Sequence, residues 1–472
     1  MHPPNVSFYD RVEDALHDQQ LHLALARATR RFTSLRAGAL ATLPESDAIR
    51  DHARRIRAHT LSRLDHYLAQ FAANVEAHGG CVHWAADAAA CNRIVTELVL
   101  QSGRRVVKGK SMVSEETGLN AALEAQGVTV IESDLGERIV QLVGEPPSHI
   151  IAPALHKTKE EIGRILHEHL DLPLTDLPEE MTAGVRESLR HDFLAADVGI
   201  SGVNFGVAST GSIALVENEG NGRLTTSAPR MHIALMGIER LVPGPEELGV
   251  MLQILTRSAT GQKLTVYTNV ITGPRRSAEP DGPEALHVVL VDNGRSRVLG
   301  GELAEILYCI RCGACLNACP VYQQMGGHAY GSVYSGPIGS VLTPALDGID
   351  PWHELPQASS LCGACREVCP VRIDIPRMLL ALRRQGHERG HAPWWLKLGL
   401  PLYRVLVGQP WLFHLVVRIG ALTTRLMAGP TGWIKTLPPP LAGWTQSRHF
   451  PALAARPLSV LIKERRRKTE EQ

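Results

Sequence analysis

Seven of the chain's nine cysteines fall between Cys309 and Cys369, and this crowding restricts what the chain can become more than any other feature. The first run, Cys309-Ile310-Arg311-Cys312-Gly313-Ala314-Cys315-Leu316-Asn317-Ala318-Cys319-Pro320, is C-x2-C-x2-C-x3-C-P. Thiolates at i, i+3 and i+6 on a tight loop reach three corners of one cubane, and Gly313 lets the backbone pass close to it. The fourth cysteine, turned away by its proline, ligates the other cluster of a pair. A structural zinc site takes four ligands in separated CxxC pairs and matches less well. The second run, Ser359-Ser360-Leu361-Cys362-Gly363-Ala364-Cys365-Arg366-Glu367-Val368-Cys369-Pro370, has serine at the first position. Crossing the fourth cysteines gives cluster one as Cys309, Cys312, Cys315 and Cys369. Cluster two is then Cys319, Cys362 and Cys365, with a vacancy near Ser359. The expected cofactors are two [4Fe–4S] clusters. With three thiolates the second holds either a [3Fe–4S] cluster or a [4Fe–4S] cluster whose last iron takes serine, water or another residue.

Paired clusters form an electron wire, whose potentials the protein tunes by hydrogen bonding and burial. A structural staple needs only one cluster. The start Met1-His2-Pro3-Pro4 has no apolar h-region, so the expected compartment is a reducing cytosol, where clustered thiols are metal ligands rather than disulfides. No GxGxxG turn follows a strand, and no acid–base pair stands out, so no catalytic residue is assigned.

A chain of 472 residues exceeds one core, and four regions are expected. Residues 1–78 are helical: Leu61, Leu64, Leu68, Phe71 and Val75 make one apolar stripe, with His52, His59 and His66 on a solvated face. Residues 79–300 alternate strands (Cys81–Trp84, Arg105–Val107, Val128–Ile131, His149–Ile151) with helices (Ala88–Gln101, Glu115–Ala125, Lys159–Leu170). Further strands follow at Ser212–Val216, Met231–Leu235, Leu264–Val270 and Leu286–Val291, predicting an α/β unit with a mixed sheet. Cys81 and Cys91 are expected as small core thiols. Residues 301–390 hold the clusters, and residues 391–472 form a helical tail.

The tail stands apart in charge. It carries 12 Lys and Arg against 3 Glu in a chain whose total is +1, and it holds five of the seven tryptophans (Trp394, Trp395, Trp411, Trp433, Trp444). No carboxylate occurs between His391 and Lys463. The near-neutral whole argues against a nucleic-acid binder. The longest uncharged apolar stretch, Val405–Val417, is too short to span a bilayer. The tail suits a strap over the cluster domain, docking on an acidic partner protein, or peripheral contact with anionic lipid.

With these residues in view, the chain resembles the lactate-utilization iron–sulfur proteins, which are one of the three components of an L-lactate oxidation system. The marks are Gly199-Ile200-Ser201-Gly202-Val203-Asn204-Phe205-Gly206 with Ser209-Thr210-Gly211-Ser212, and Val216-Glu217-Asn218-Glu219-Gly220-Asn221-Gly222-Arg223 running on to Met231–Glu239. Further marks are Gly326-Gly327-His328-Ala329-Tyr330-Gly331, Gly336-Pro337-Ile338-Gly339 and Cys369-Pro370-Val371-Arg372-Ile373-Asp374-Ile375-Pro376. The resemblance implies an α/β LUD domain of the ribose-5-phosphate isomerase and CoA-transferase type, followed by a helical, ferredoxin-like paired-cluster domain. It implies electron transfer in the oxidation of lactate to pyruvate. The partners it implies are the other two proteins of the lactate-utilization system, one cysteine-rich and the other smaller, with a LUD domain of its own. Two other readings remain open: the iron–sulfur subunit of a glycolate-type dehydrogenase, and a scaffold whose LUD domain only docks partners. Glu217-Asn218-Glu219-Gly220 loosely resembles a CoA-transferase nucleophile loop but reads as a turn. Lys108 and Lys110 are weighed as anion contacts and as solvated lysines.

Overall fold

The computed structural model describes residues 6–392, 394–439 and 441–470. The Met1-His2-Pro3-Pro4 start and the side chain of Trp395 lie outside them. The chain divides into two compact units, Met1–Arg389 and Gly390–Gln472.

The first unit is organised by a six-stranded sheet in which every pair is parallel. Its strands are β1 (Cys81–Ala85), β2 (Arg105–Lys108), β3 (Thr129–Glu132), β4 (Val198–Gly202), β7 (Met231–Gly237) and β10 (Ala285–Val291), in the order β1-β10-β7-β4-β2-β3. A smaller mixed sheet carries β5 (Phe205–Val207), β6 (Ser212–Glu217), β8 (Leu241–Val242) and β9 (Tyr267–Ile271), in the order β8-β5-β6-β9. A parallel sheet is covered on both faces, so its strands are apolar throughout. Val198, Ile200, Ile233, Leu235, Val289 and Val291 face one core with Cys91 and Val95, while Ala234, Met236, Val288 and Leu290 face the other.

That second core runs on without a break into the N-terminal helices and the cysteine region, joining Leu25, Ile56 and Phe71 to Cys309, Leu316 and Tyr330. Helices Gln19–Ala41 and Ser46–Ser62 thereby lie against the cysteine loops.

Three local expectations are corrected. His149–Ile151 is a loop rather than a strand; Ile150 enters the core without a pairing partner. Glu115–Ala125 is two helices, Met112–Thr117 and Leu119–Glu124, broken where Gly118 takes φ +68°. Cys81 is exposed rather than a core thiol, whereas Cys91 is buried, and burial pushes it up to about 12.

The second unit contains helices Trp394–Gly408 and Pro410–Ala428, a short antiparallel pair Trp433–Ile434 with Phe450–Pro451, and helix Leu458–Glu470. Ala428, Ile434 and Leu437 make its small core. The tail corrects a further expectation. Residues Pro410–Thr431 are, among the described residues, the one helical stretch long and apolar enough to cross a membrane by length and composition, with a mean hydropathy of 1.2. Counting uncharged residues stopped at Arg418, but one arginine does not end a helix.

Candidate iron–sulfur centres

The two cysteine runs fold by the same local device. In the first, Arg311 (φ 61°) and Gly313 (φ 74°) flank Cys312, and a short helix Ala314–Asn317 follows. In the second, Leu361 (φ 57°) and Gly363 (φ 85°) flank Cys362, and helix Ala364–Val368 follows. The left-handed turns cost the two non-glycine residues about 1–2 kcal/mol each. Backbone amides point at sulfur: Arg311 N–H, in the first of these turns, donates to Cys309 Sγ at 3.4 Å, and further along Tyr322 N–H donates to Cys319 Sγ at 3.5 Å and Ile373 N–H to Cys369 Sγ at 3.4 Å.

The thiols fall into two electrostatic neighbourhoods. Cys312 and Cys315 each feel Cys309 and Cys369, and Cys369 feels Cys309. Separately, Cys319 feels Cys362, and Cys365 feels both. Cys315 also feels Cys365, so the neighbourhoods adjoin. Burial pushes Cys312 and Cys365 up to about 12 and Cys369 to about 11. Such thiols ligate only when a metal displaces their protons.

The donor set fits iron–sulfur clusters better than zinc. All nine cysteines are free. Around one zinc, thiolate sulfurs stand about 3.8 Å apart, from a Zn–S bond near 2.3 Å. Among the described residues, the only group of three or more metal-ligating atoms within 4.8 Å of one another is Glu145, His156 and His328. No three of the cysteine sulfurs make such a group.

Arginines surround the first neighbourhood. Arg36 donates to the carbonyl of Val368 at 2.7 Å, Arg50 to that of Cys369 at 2.9 Å and Arg240 to that of Cys309 at 3.0 Å. Arg57, fully buried, donates to Leu241 and Leu307 carbonyls at 2.8 and 3.0 Å. Burial lowers its pKa to about 9, which leaves it charged at neutral pH. A buried ion chain runs from the sheet to this loop. Arg295 pairs with both Glu116 oxygens at 2.8 Å and with Glu239 at 2.6 Å, and Glu239 meets Arg311 at 3.3 Å. The guanidinium partners hold Glu239 down at about 2 against its burial.

Sequence reasoning missed these arginines. The available signal was Arg50 and Arg57, seven apart, on the same face as Ala53, Ile56 and Leu61.

The other expected residues have structural partners. Lys108, wholly buried, pairs with Glu132 at 2.8 Å and Glu115 at 3.1 Å, so its charge serves the interior. Glu217 accepts from the Gly222 and Arg223 amides at 2.7 Å each and from Asn269 at 3.0 Å; it anchors the turn into helix Asn221–Ser227. Ser359 Oγ accepts from the Leu361 amide at 3.1 Å, part-buried beside the second run. His52, His59 and His66 are exposed.

Residues 68–291 match the LUD domain family, and residues 305–373 match the 4Fe-4S dicluster domain family. A protein called lactate utilization protein B in Geobacillus sp. (strain WCH70) is 47% identical over 456 residues, 94% of each chain. The protein of the same name in Geobacillus thermodenitrificans is 47% identical over 95% of this chain and 94% of its own, and that of Bacillus licheniformis is 46% identical over 94% of each. A solved DUF162 family protein from Deinococcus radiodurans aligns with 48% of this chain and 98% of its own, at 17% identity and a TM-score of 0.28.

Proposed function

The chain belongs to the lactate utilization protein B family, and on that premise we propose that its seven clustered cysteines hold two [4Fe–4S] clusters that carry electrons during the oxidation of L-lactate to pyruvate. Membership makes the chain an iron–sulfur subunit of a lactate utilization system that works with other subunits. The finer reading assigns Cys309, Cys312, Cys315 and Cys369 to one cluster and Cys319, Cys362 and Cys365 to the other. It takes residues 79–300 as a fold of the ribose-5-phosphate isomerase and CoA-transferase type, and 301–390 as a ferredoxin-like module. Its proposed partners are a cysteine-rich protein and a smaller LUD-domain protein of the same system, in the cytoplasm.

The observation that carries this reading is the sorting of the thiols into two adjoining neighbourhoods, each turned by the same left-handed loop. When bound, the clusters supply one-electron transfer, so two in sequence can relay the pair that a hydroxy acid releases. The chain's own part is to aim amides at sulfur and to set arginines against the thiolate charge, both of which stabilise the more negative, reduced state. The test is anaerobic purification. A brown protein with about seven to eight irons, whose reduction by lactate appears only with its partners, is expected. A colourless protein with two zincs, or robust lactate-dependent dye reduction by the chain alone, overturns it.

A second reading concerns the tail. In helix Pro410–Ala428, Trp411, Leu422 and Leu426 are 66, 63 and 75% exposed, and Arg418 and Arg425, seven apart, share one face. Such a helix, in a region without carboxylates from 391 to 463, favours peripheral binding to anionic lipid. Truncation after Gly390 tests it. Retained clusters with lost, salt-sensitive liposome binding is expected. Lost clusters would instead identify a strap, and a lost partner complex would identify docking.

A further inference from the structure

The large sheet changes direction between β2 and β4: from β2 the chain pairs outward to β3, and from β4 it proceeds to β7 and β10. In open α/β sheets, ligands bind beyond the carboxyl ends of the strands at such a switch point. A cavity of about 300 Å³ lies there, lined by residues that follow β2 and β4 and by Glu219, Arg311 and Tyr334. Gly202 permits the approach, since a Cβ there would stand 3.0 Å from that of Ser111.

Two cations facing this cavity have unused donors. Arg311 stacks over Tyr334 at 4.8 Å and reaches Glu239 through Nη2. Its Nη1 is buried without a hydrogen-bond partner, on a side chain 10% exposed. Lys110 lies 3.2 Å from Glu137, yet its Nζ has no hydrogen bond. Both line the same cavity. Lys110 also acts on Glu219, which burial and the neighbouring Asp134 raise to about 7. Leu215, Leu235 and Leu255 supply an apolar wall. A guanidinium and an ammonium with free donors select an anion, and the guanidinium fork matches a carboxylate. A volume at the small end of ligand sites excludes a dinucleotide.

We propose that this cavity binds a small 2-hydroxy or 2-oxo carboxylate, its carboxylate held between Lys110 and Arg311 and its 2-oxygen directed at Glu219. The site rests on the lactate reading and adds that this chain, through Arg311 in the first cysteine loop, presents the acid beside the first thiol set. It is a claim about binding alone.

Calorimetric titration of the anaerobic, cluster-loaded protein with L-lactate, pyruvate and propionate tests it. Lactate or pyruvate is expected to bind at least tenfold more tightly than propionate, which lacks the 2-oxygen. Lys110→Met, with its iron intact, is expected to weaken that binding at least tenfold. Pyruvate is expected to perturb the electron paramagnetic resonance signal of the reduced wild-type protein, and this measurement decides the matter if Lys110→Met does not fold. Binding of neither acid, equal binding of propionate, an intact Lys110→Met that binds as wild type, or an unperturbed signal overturns the site. Full iron and partner-dependent reduction by lactate, together with no binding, refute the site and leave the function standing; absence of clusters refutes the function itself.

Discussion

Six arginines act on the thiols of Cys309, Cys312 and Cys369, namely Arg36, Arg50, Arg54, Arg57, Arg240 and Arg311. On Cys319 and Cys365 the leading charges are thiols: Cys362 acts on both, and Cys319 on Cys365. Cys362 is exposed, whereas Cys309, Cys312 and Cys369 are buried. The same loop geometry therefore serves two different environments. A buried, arginine-ringed set suits a cluster that gains negative charge at low cost. The other set has three cysteines, of which Cys319 and Cys365 are buried and Cys362 is exposed; opening on solvent at that one corner, this exposed set suits a cluster that exchanges electrons with something outside and is easier to lose.

Cys369 gives the strongest way to break this comparison. It sits in the second run, four residues after Cys365, yet its electrostatic partners include Cys309 and Arg50. Cys369→Ala is expected to remove about four irons from the buried set and to leave the Cys319/Cys362/Cys365 set loaded. Iron analysis with spectroscopy of the remaining cluster checks it. Loss of the exposed set alone would mean that each run serves its own cluster.

The next effect tests what the arginines and their carboxylates do. Arg295 is 1% exposed and stands between Glu116 and Glu239, themselves 0 and 1% exposed. Arg295→Met leaves two buried carboxylates short of a partner, and breaking such a network costs about 3–5 kcal/mol. The expected result is a large fall in unfolding midpoint, with the buried cluster lost before the exposed one. Equal loss of both clusters would show that the ion chain supports the whole unit rather than the first set.

The sequence showed some of this and concealed the rest for physical reasons. Strands such as Arg105–Val107 and Leu286–Val291 were legible because β-branched runs buried on both faces look alike wherever they occur. The central strand Val198–Gly202 was not read as one, because Gly199 and Gly202 dilute its apolar pattern. Both glycines are demanded by neighbours: a Cβ on Gly199 would stand 1.8 Å from the Thr225 carbonyl oxygen. The cysteine spacing marked a candidate donor set at once, since ligand spacing is local. The arginine ring was not read, because Arg50 and Arg57 bond carbonyls far away in the chain, and a helix with arginines ordinarily presents a solvated face; their shared face with Ala53, Ile56 and Leu61 was the one clue. Lys108 was misjudged for the same reason: its partners Glu115 and Glu132 belong to the next helix and the next strand.

Ser359 offers the finest adjustment of the comparison. It occupies the place that Cys309 holds in the first run, three residues before Cys362, and its Oγ accepts the Leu361 amide at 3.1 Å. Its carbonyl accepts from Arg383 at 2.8 Å, which fixes the segment independently of the side chain. A sulfur at this position is therefore presented by a backbone already in place, and thiolate binds iron more firmly than a serine hydroxyl does. Ser359→Cys is expected to leave the buried cluster and overall stability unchanged while lengthening the survival of the exposed cluster in air severalfold. The effect is small because, on the proposed assignment, the three existing cysteines hold that cluster and a fourth ligand only slows the loss of its last iron. The measurement is the decay of each cluster's spectroscopic signal after exposure to oxygen, in wild type and variant. Unchanged decay of the exposed cluster would show that its fourth corner faces another residue or solvent, and that Ser359 serves the turn alone.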